Sequence, residues 1–126
     1  MAKLSFGEHS KFTANPAERD RVRRFYTQVL GCPATKESEK IDIFRIGTNF
    51  PLSVVYDDSA LSAVDGLKST WLELRTPERE ALKTRILEFG IEQVPFWDKE
   101  HFYFQAPGGQ VFRLIGKTED MSRRQR

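Results

Sequence analysis

Asn15-Pro16-Ala17-Glu18-Arg19-Asp20-Arg21-Val22-Arg23-Arg24-Phe25-Tyr26-Thr27-Gln28-Val29-Leu30-Gly31 reads as one complete helix. Asn15 is a preferred cap, Pro16 suits the first helical position, and Glu18 stands where a capping box places a carboxylate. Val22, Phe25, Tyr26, Val29 and Leu30 follow the i, i+3, i+4, i+7, i+8 rhythm of one buried stripe. Gly31 provides a left-handed stop, and Pro33 prevents continuation. Half a chain later the same grammar returns. Thr76-Pro77-Glu78 opens a second helix that buries Leu82, Ile86 and Phe89 and ends at Gly90. Two helices built alike at that separation indicate a duplication.

The flanks repeat as well. Phe12 and Ala14 alternate with Lys11 and Thr13 before the first helix; Leu72 and Leu74 alternate with Trp71, Glu73 and Arg75 before the second. This is the period of a strand covered on one face. Strands are predicted after the first helix near 34–36, over 41–46 and over 52–56, with a turn at Gly47-Thr48-Asn49. After the second they are predicted over 91–94, 101–105 and 111–115, with a turn at Pro107-Gly108-Gly109. Asp57 to Leu67 reads as the linker. The fold class is therefore α+β: two βαβββ modules, residues 1–60 and 61–116, and a basic tail, 117–126, expected to fray. Neither half has enough residues to cover its own sheet, so the halves pack together or exchange with those of a second chain.

Composition narrows the function classes. A chain of 126 residues with 39% hydrophobic and 30% charged residues fits one compact unit and excludes disorder. No apolar run nears the length of a membrane span, and the amino terminus lacks a signal-peptide pattern, so a cytoplasmic protein is expected. Cys32 is the only cysteine, which excludes an intrachain disulfide and a multi-cysteine zinc site. It reads as a buried filler. Arg123, Arg124 and Arg126 supply much of the net charge of +2, without interleaved aromatic residues, so they point to a solvated terminus rather than a nucleic-acid contact.

Two stretches carry a likeness. Phe25-Tyr26-Thr27-Gln28-Val29-Leu30-Gly31 is similar to the end of the first helix in the vicinal oxygen chelate superfamily, which includes glyoxalase, bleomycin-resistance proteins, fosfomycin-resistance enzymes and extradiol dioxygenases. Phe104-Gln105-Ala106-Pro107-Gly108-Gly109-Gln110-Val111-Phe112-Arg113-Leu114 resembles that superfamily's last hairpin, usually Asp-Pro-x-Gly-Asn with a Glu two or three residues on. The resemblance spans residues 4 to 116. It implies a curved mixed sheet forming an open barrel with the site inside, and a homodimer.

Metal-using members draw His, Gln and Glu from inward-facing strand positions, and this chain departs from that pattern. The last-strand Glu falls on Arg113, the position before the second helix falls near Ser69, and 52–56 contains no carboxylate. The first-strand ligand position falls on His9 or, if the longer loop before the first helix shifts the match by two residues, on Lys11. A guanidinium has no lone pair to offer a cation. No metal and no cofactor are therefore implied.

Strand parity puts Arg113 on the face opposite Phe112 and Leu114. There it either clamps a carboxylate, phosphate or enolate oxygen, or closes a structural salt bridge with Glu73. Glu73 and Trp71 share that face, Tyr103 joins it between Phe102 and Phe104, and His9 and Lys11 face the hollow from the first strand. Arg113, Trp71, Glu73, Tyr103, His9 and Lys11 are the candidate ligand contacts. Phe96-Trp97 reads as a lid or a dimer contact. The expected function is metal-independent binding of a small anionic or aromatic molecule. The alternatives are a metal-free lyase or isomerase in which Arg113 acts with His9 or Glu73, a metal-dependent lyase or dioxygenase with atypical ligands among Glu8, His9, His101 and Glu73, and an interaction module with a filled barrel. Catalytic residues, if any, are His9 and Glu73.

Overall fold

The computed structural model describes residues 3–121. The chain runs β1 (Ser10–Ala14), a 3-10 turn (Pro16–Glu18), α1 (Arg19–Arg24), a π-helical turn (Phe25–Val29), β2 (Ala34–Glu37), β3 (Ile41–Ile46) and β4 (Phe50–Tyr56). It continues through α2 (Ala63–Gly66), β5 (Trp71–Thr76), α3 (Arg79–Phe89), β6 (Phe102–Gln105) and β7 (Val111–Gly116). The first sheet has the order β1-β4-β3-β2 and the second β5-β7-β6. In each, the strand before the helix pairs in parallel with the last strand of the module, which also pairs antiparallel with the strand preceding it. The duplication read from the two helices is thus a duplication of topology.

The helix signals act locally. Asn15 Oδ1 accepts the amide of Ala17 at 2.9 Å, and Thr76 Oγ1 accepts that of Glu78 at 3.1 Å. Gly31 and Gly90 turn the chain out of their helices at φ 73° and 107°, a region other residues avoid. Both stripes enter one core. Tyr26 stacks on Phe44 of the first sheet at 5.0 Å and meets Phe112 of the second edge-on at 6.3 Å. Phe25 contacts Phe89 of α3 at 5.4 Å and Phe104 of β6 at 5.9 Å. The modules therefore meet through their helices, and each sheet keeps its other face away from the shared core. Inside this core Asp42 is fully buried, but Arg23 donates to it twice, at 2.8 and 3.0 Å, and Tyr56 Oη donates at 2.7 Å. Its charge is compensated, as a buried carboxylate requires.

Two expectations need correction, the strand at 91–94 and the place of His9, and the linker and the tail gain detail. The predicted strand at 91–94 is a single bridge, Gln93 to Phe104. Pro95 cannot donate to a ladder, and the chain leaves the sheet there. Within the linker, Ser62 Oγ accepts the amide of Asp65 at 3.1 Å and starts the short helix α2. His9 lies ahead of β1 because its parallel partner would fall at Pro51, which has no amide hydrogen; Ser10 Oγ donates to the Pro51 carbonyl at 2.9 Å instead. Finally, the start of the tail, 117–121, lies against the second module. Met121 is buried, and Arg75 Nη1 donates to the carbonyls of Lys117 and Glu119 at 3.1 Å each. Arg123, Arg124 and Arg126 lie outside the described residues. Among the described residues, no helix is long and apolar enough to cross a membrane.

Candidate functional site

Register assembles the site. Glu73 on β5, Arg113 on β7 and Tyr103 on β6 stand side by side in one row across the second sheet. Their neighbours Phe112 and Leu114 turn into the core on the opposite face. Arg113 is 4% exposed, whereas the Glu73 side chain is 27% exposed. Arg113 Nε donates to Glu73 Oε2 at 3.0 Å, and Nη2 makes a second, shorter contact with the same oxygen. Nη1 donates to Tyr103 Oη at 3.2 Å and lies 3.5 Å from Asp98 Oδ2. The guanidinium also stacks 4.4 Å from the ring centre of Trp71. Burial opposes its charge, but the bonds to Glu73 and Tyr103 outweigh burial and hold Arg113 above its ordinary pKa. It is a fixed cation.

A loop closes over this row. Between the Gln93 bridge and β6, Phe96 lays its ring 4.7 Å from that of Tyr103. Asp98 brings Oδ2 to within 2.9 Å of His101 Nδ1 and accepts Tyr103 Oη at 3.1 Å. On the far side of the imidazole, His101 Nε2 lies 2.5 Å from Glu119 Oε2 in the docked tail. The His101 side chain is 1% exposed. Burial pushes its pKa down, but hydrogen bonds to Glu119 and Asp98 prevail and hold it above the ordinary value. The two carboxylates are correspondingly held below theirs. Burial, working against the shift in Asp98, is outweighed by His101, and for Glu119 the His101 bond leads.

The six candidate residues divide. Arg113, Glu73, Tyr103 and Trp71 form one cluster, and for Arg113 the observed contacts are those of the salt bridge with Glu73. His9 is exposed in irregular chain. Lys11 stands on β1 of the other sheet, donates to Thr13 Oγ1 at 3.2 Å, and lines a cavity of about 350 Å³ shared with Ser69, Thr70 and Gln110. Periodicity missed Asp98 and Glu119. Both lie outside regular strands, where no alternation aims a side chain, and no local motif marks either of them.

The arrangement does not fit a divalent ion. Arg113 puts a buried guanidinium on the last strand, and both carboxylates beside it, Glu73 and Asp98, are committed to that cation. Among the described residues, no three His, Cys, Asp or Glu side chains are grouped as metal ligands.

No family model and no curated protein matches the sequence. Solved structures do match in three dimensions. A glyoxalase-family protein from Bacillus anthracis aligns with TM-score 0.70 at 18% identity, over 92% of this chain and 98% of its own. Lactoylglutathione lyase from Agrobacterium tumefaciens gives 0.64 at 16% identity, over 91% and 96%. The bleomycin-binding protein of Streptomyces verticillus, solved with copper(II)-bleomycin, gives 0.60 at 15% identity, over 92% and 98%. With paired β-α-β modules and this likeness along nearly the whole chain, the protein has the fold of the vicinal oxygen chelate superfamily, the fold of glyoxalases and bleomycin-binding proteins.

Proposed function

We propose that this chain binds a small anionic or aromatic molecule on the face of its second sheet that carries Arg113, beneath the loop that covers it, without a divalent metal, and acts in the cytoplasm as a homodimer. The observation that carries this reading is Arg113: a buried, permanent cation stacked on Trp71, at the position that the resemblance in sequence sets against a carboxylate ligand. A guanidinium backed by an indole suits a flat or negatively charged organic guest and repels a metal ion. The bleomycin-binding protein of the same fold gives a precedent for binding an organic molecule. Lys11 on the first sheet and His9 just ahead of it would reach the guest most directly if a second copy supplies them.

A calorimetric and melting screen of small carboxylates and arenes tests the proposal. Stabilisation by such a compound in the native protein, abolished in Arg113→Ala, is the expected result. Stoichiometric metal in the purified protein, or strong stabilisation by Mn, Fe, Ni or Zn, would overturn it. Light scattering reports the assembly, with a mass of twice the chain expected.

A further inference from the structure

The seat that holds the Asp98 carboxylate is built from three elements of the chain. His101 Nδ1 comes from the approach to β6, Tyr103 Oη from β6 itself, and Arg113 Nη1 from β7. They lie 2.9, 3.1 and 3.5 Å from one oxygen, Asp98 Oδ2. The group in that seat belongs to an irregular loop rather than to the sheet. Two residues earlier the same loop presses the Phe96 ring onto Tyr103, while Trp97 between them points outward and is 57% exposed. An arene and a carboxylate from one short segment thus occupy an apolar ring face and a three-donor anion site side by side.

We propose that Phe96 and Asp98 hold the place of the ligand. The guest is an aryl-substituted carboxylate. Its anion takes the seat of Asp98 on His101, Tyr103 and Arg113, its ring replaces Phe96 against Tyr103, and the loop 95–100 lifts to admit it. This rests on the reading that the protein binds a small anionic molecule, and adds the position of the anion, the class of guest and the internal competitor it must displace. The cost of opening the loop lowers the apparent affinity by the fraction of molecules already open.

Calorimetry with 3-phenylpropionate, benzoate and the neutral 3-phenylpropionamide, on the native protein and on Asp98→Ala, provides the test. If about a tenth of native molecules are open, removing the competitor tightens 3-phenylpropionate binding about tenfold. The amide, which brings no anion to the seat, binds neither protein measurably. In the native protein, hydrogen exchange at the amides of 96–100 accelerates when the acid is bound. A folded Asp98→Ala that binds the acids no more tightly, or equal gains for acid and amide, overturns the proposal. Asp98→Asn, which keeps the shape and removes the charge, makes the same comparison should the alanine variant fail to fold. Arg113-dependent carboxylate binding by the native protein with no gain in either variant would defeat the place-holding role alone. No carboxylate binding by any of the three proteins would defeat both readings.

Discussion

Arg113 shows how strongly one side chain constrains its neighbours. Its removal leaves Glu73 and Asp98 facing each other across the row without their common cation, and Tyr103 loses a donor. Breaking a buried pair on one side costs about 3 to 5 kcal/mol, so urea denaturation of Arg113→Ala should show a loss in that range. Arg113→Lys recovers little, because an ammonium cannot fork towards Glu73 and Tyr103 together. His101 carries a pH dependence of definite sign. Its folded pKa lies above the ordinary 6.5, so its contribution is complete below 6.5 and fades as pH rises through the folded value. Asp98 and Glu119 have lowered pKa values, so their contributions are complete above the ordinary 3.8 and 4.5 and are lost as pH falls through the folded values. The gap in melting temperature between the native protein and His101→Gln should therefore be largest at mildly acidic pH and shrink in alkali. A gap that widens towards about pH 9 would contradict the assigned protonation.

At the scale of elements, the β6–β7 turn binds the modules to each other. Gly108 has φ 91°, and a Cβ there would come within 3.1 Å of Val22 Cγ2 and 3.2 Å of Ala14 Cβ, both in the first module. Gly108→Ala combines a disfavoured backbone with a tight contact and should lower stability by about 1 to 3 kcal/mol in chemical denaturation. Gly109→Ala has the same backbone penalty (φ 113°) but meets nothing within 4 Å, so it should cost less. The difference between the two measures the docking. The turn and both helix stops were legible because Gly and Pro act through their own backbone. The missing strand at 91–94 was not, since Ile91 and Val94 suit a strand locally, and only Pro95 and the docking of Phe96 draw the chain away. The same holds for the start of β1, which the partner residue Pro51 sets from 41 positions away.

For the molecule as a whole, the shared core predicts that neither module folds alone. Separating residues 1–60 from 61–126 would expose Phe25 and Tyr26 on one piece, and Phe89, Phe104 and Phe112 on the other. Circular dichroism should find each fragment largely unfolded, with structure regained on mixing; a fragment that melts cooperatively by itself would contradict the single core. What the amino-acid order determined alone is whatever acts within a few residues: caps, stops, the helix stripe, strand alternation, and hence the duplication and the faces on which Arg113, Glu73, Trp71 and Tyr103 lie. Only the tertiary structure decided who meets whom. It turned Arg113 towards Glu73, brought Asp98 and Glu119 to His101 and set Lys11 apart on another sheet with His9 just ahead of it, because such meetings depend on chain segments far apart in sequence that packing, and no local periodicity, brings within hydrogen-bonding distance.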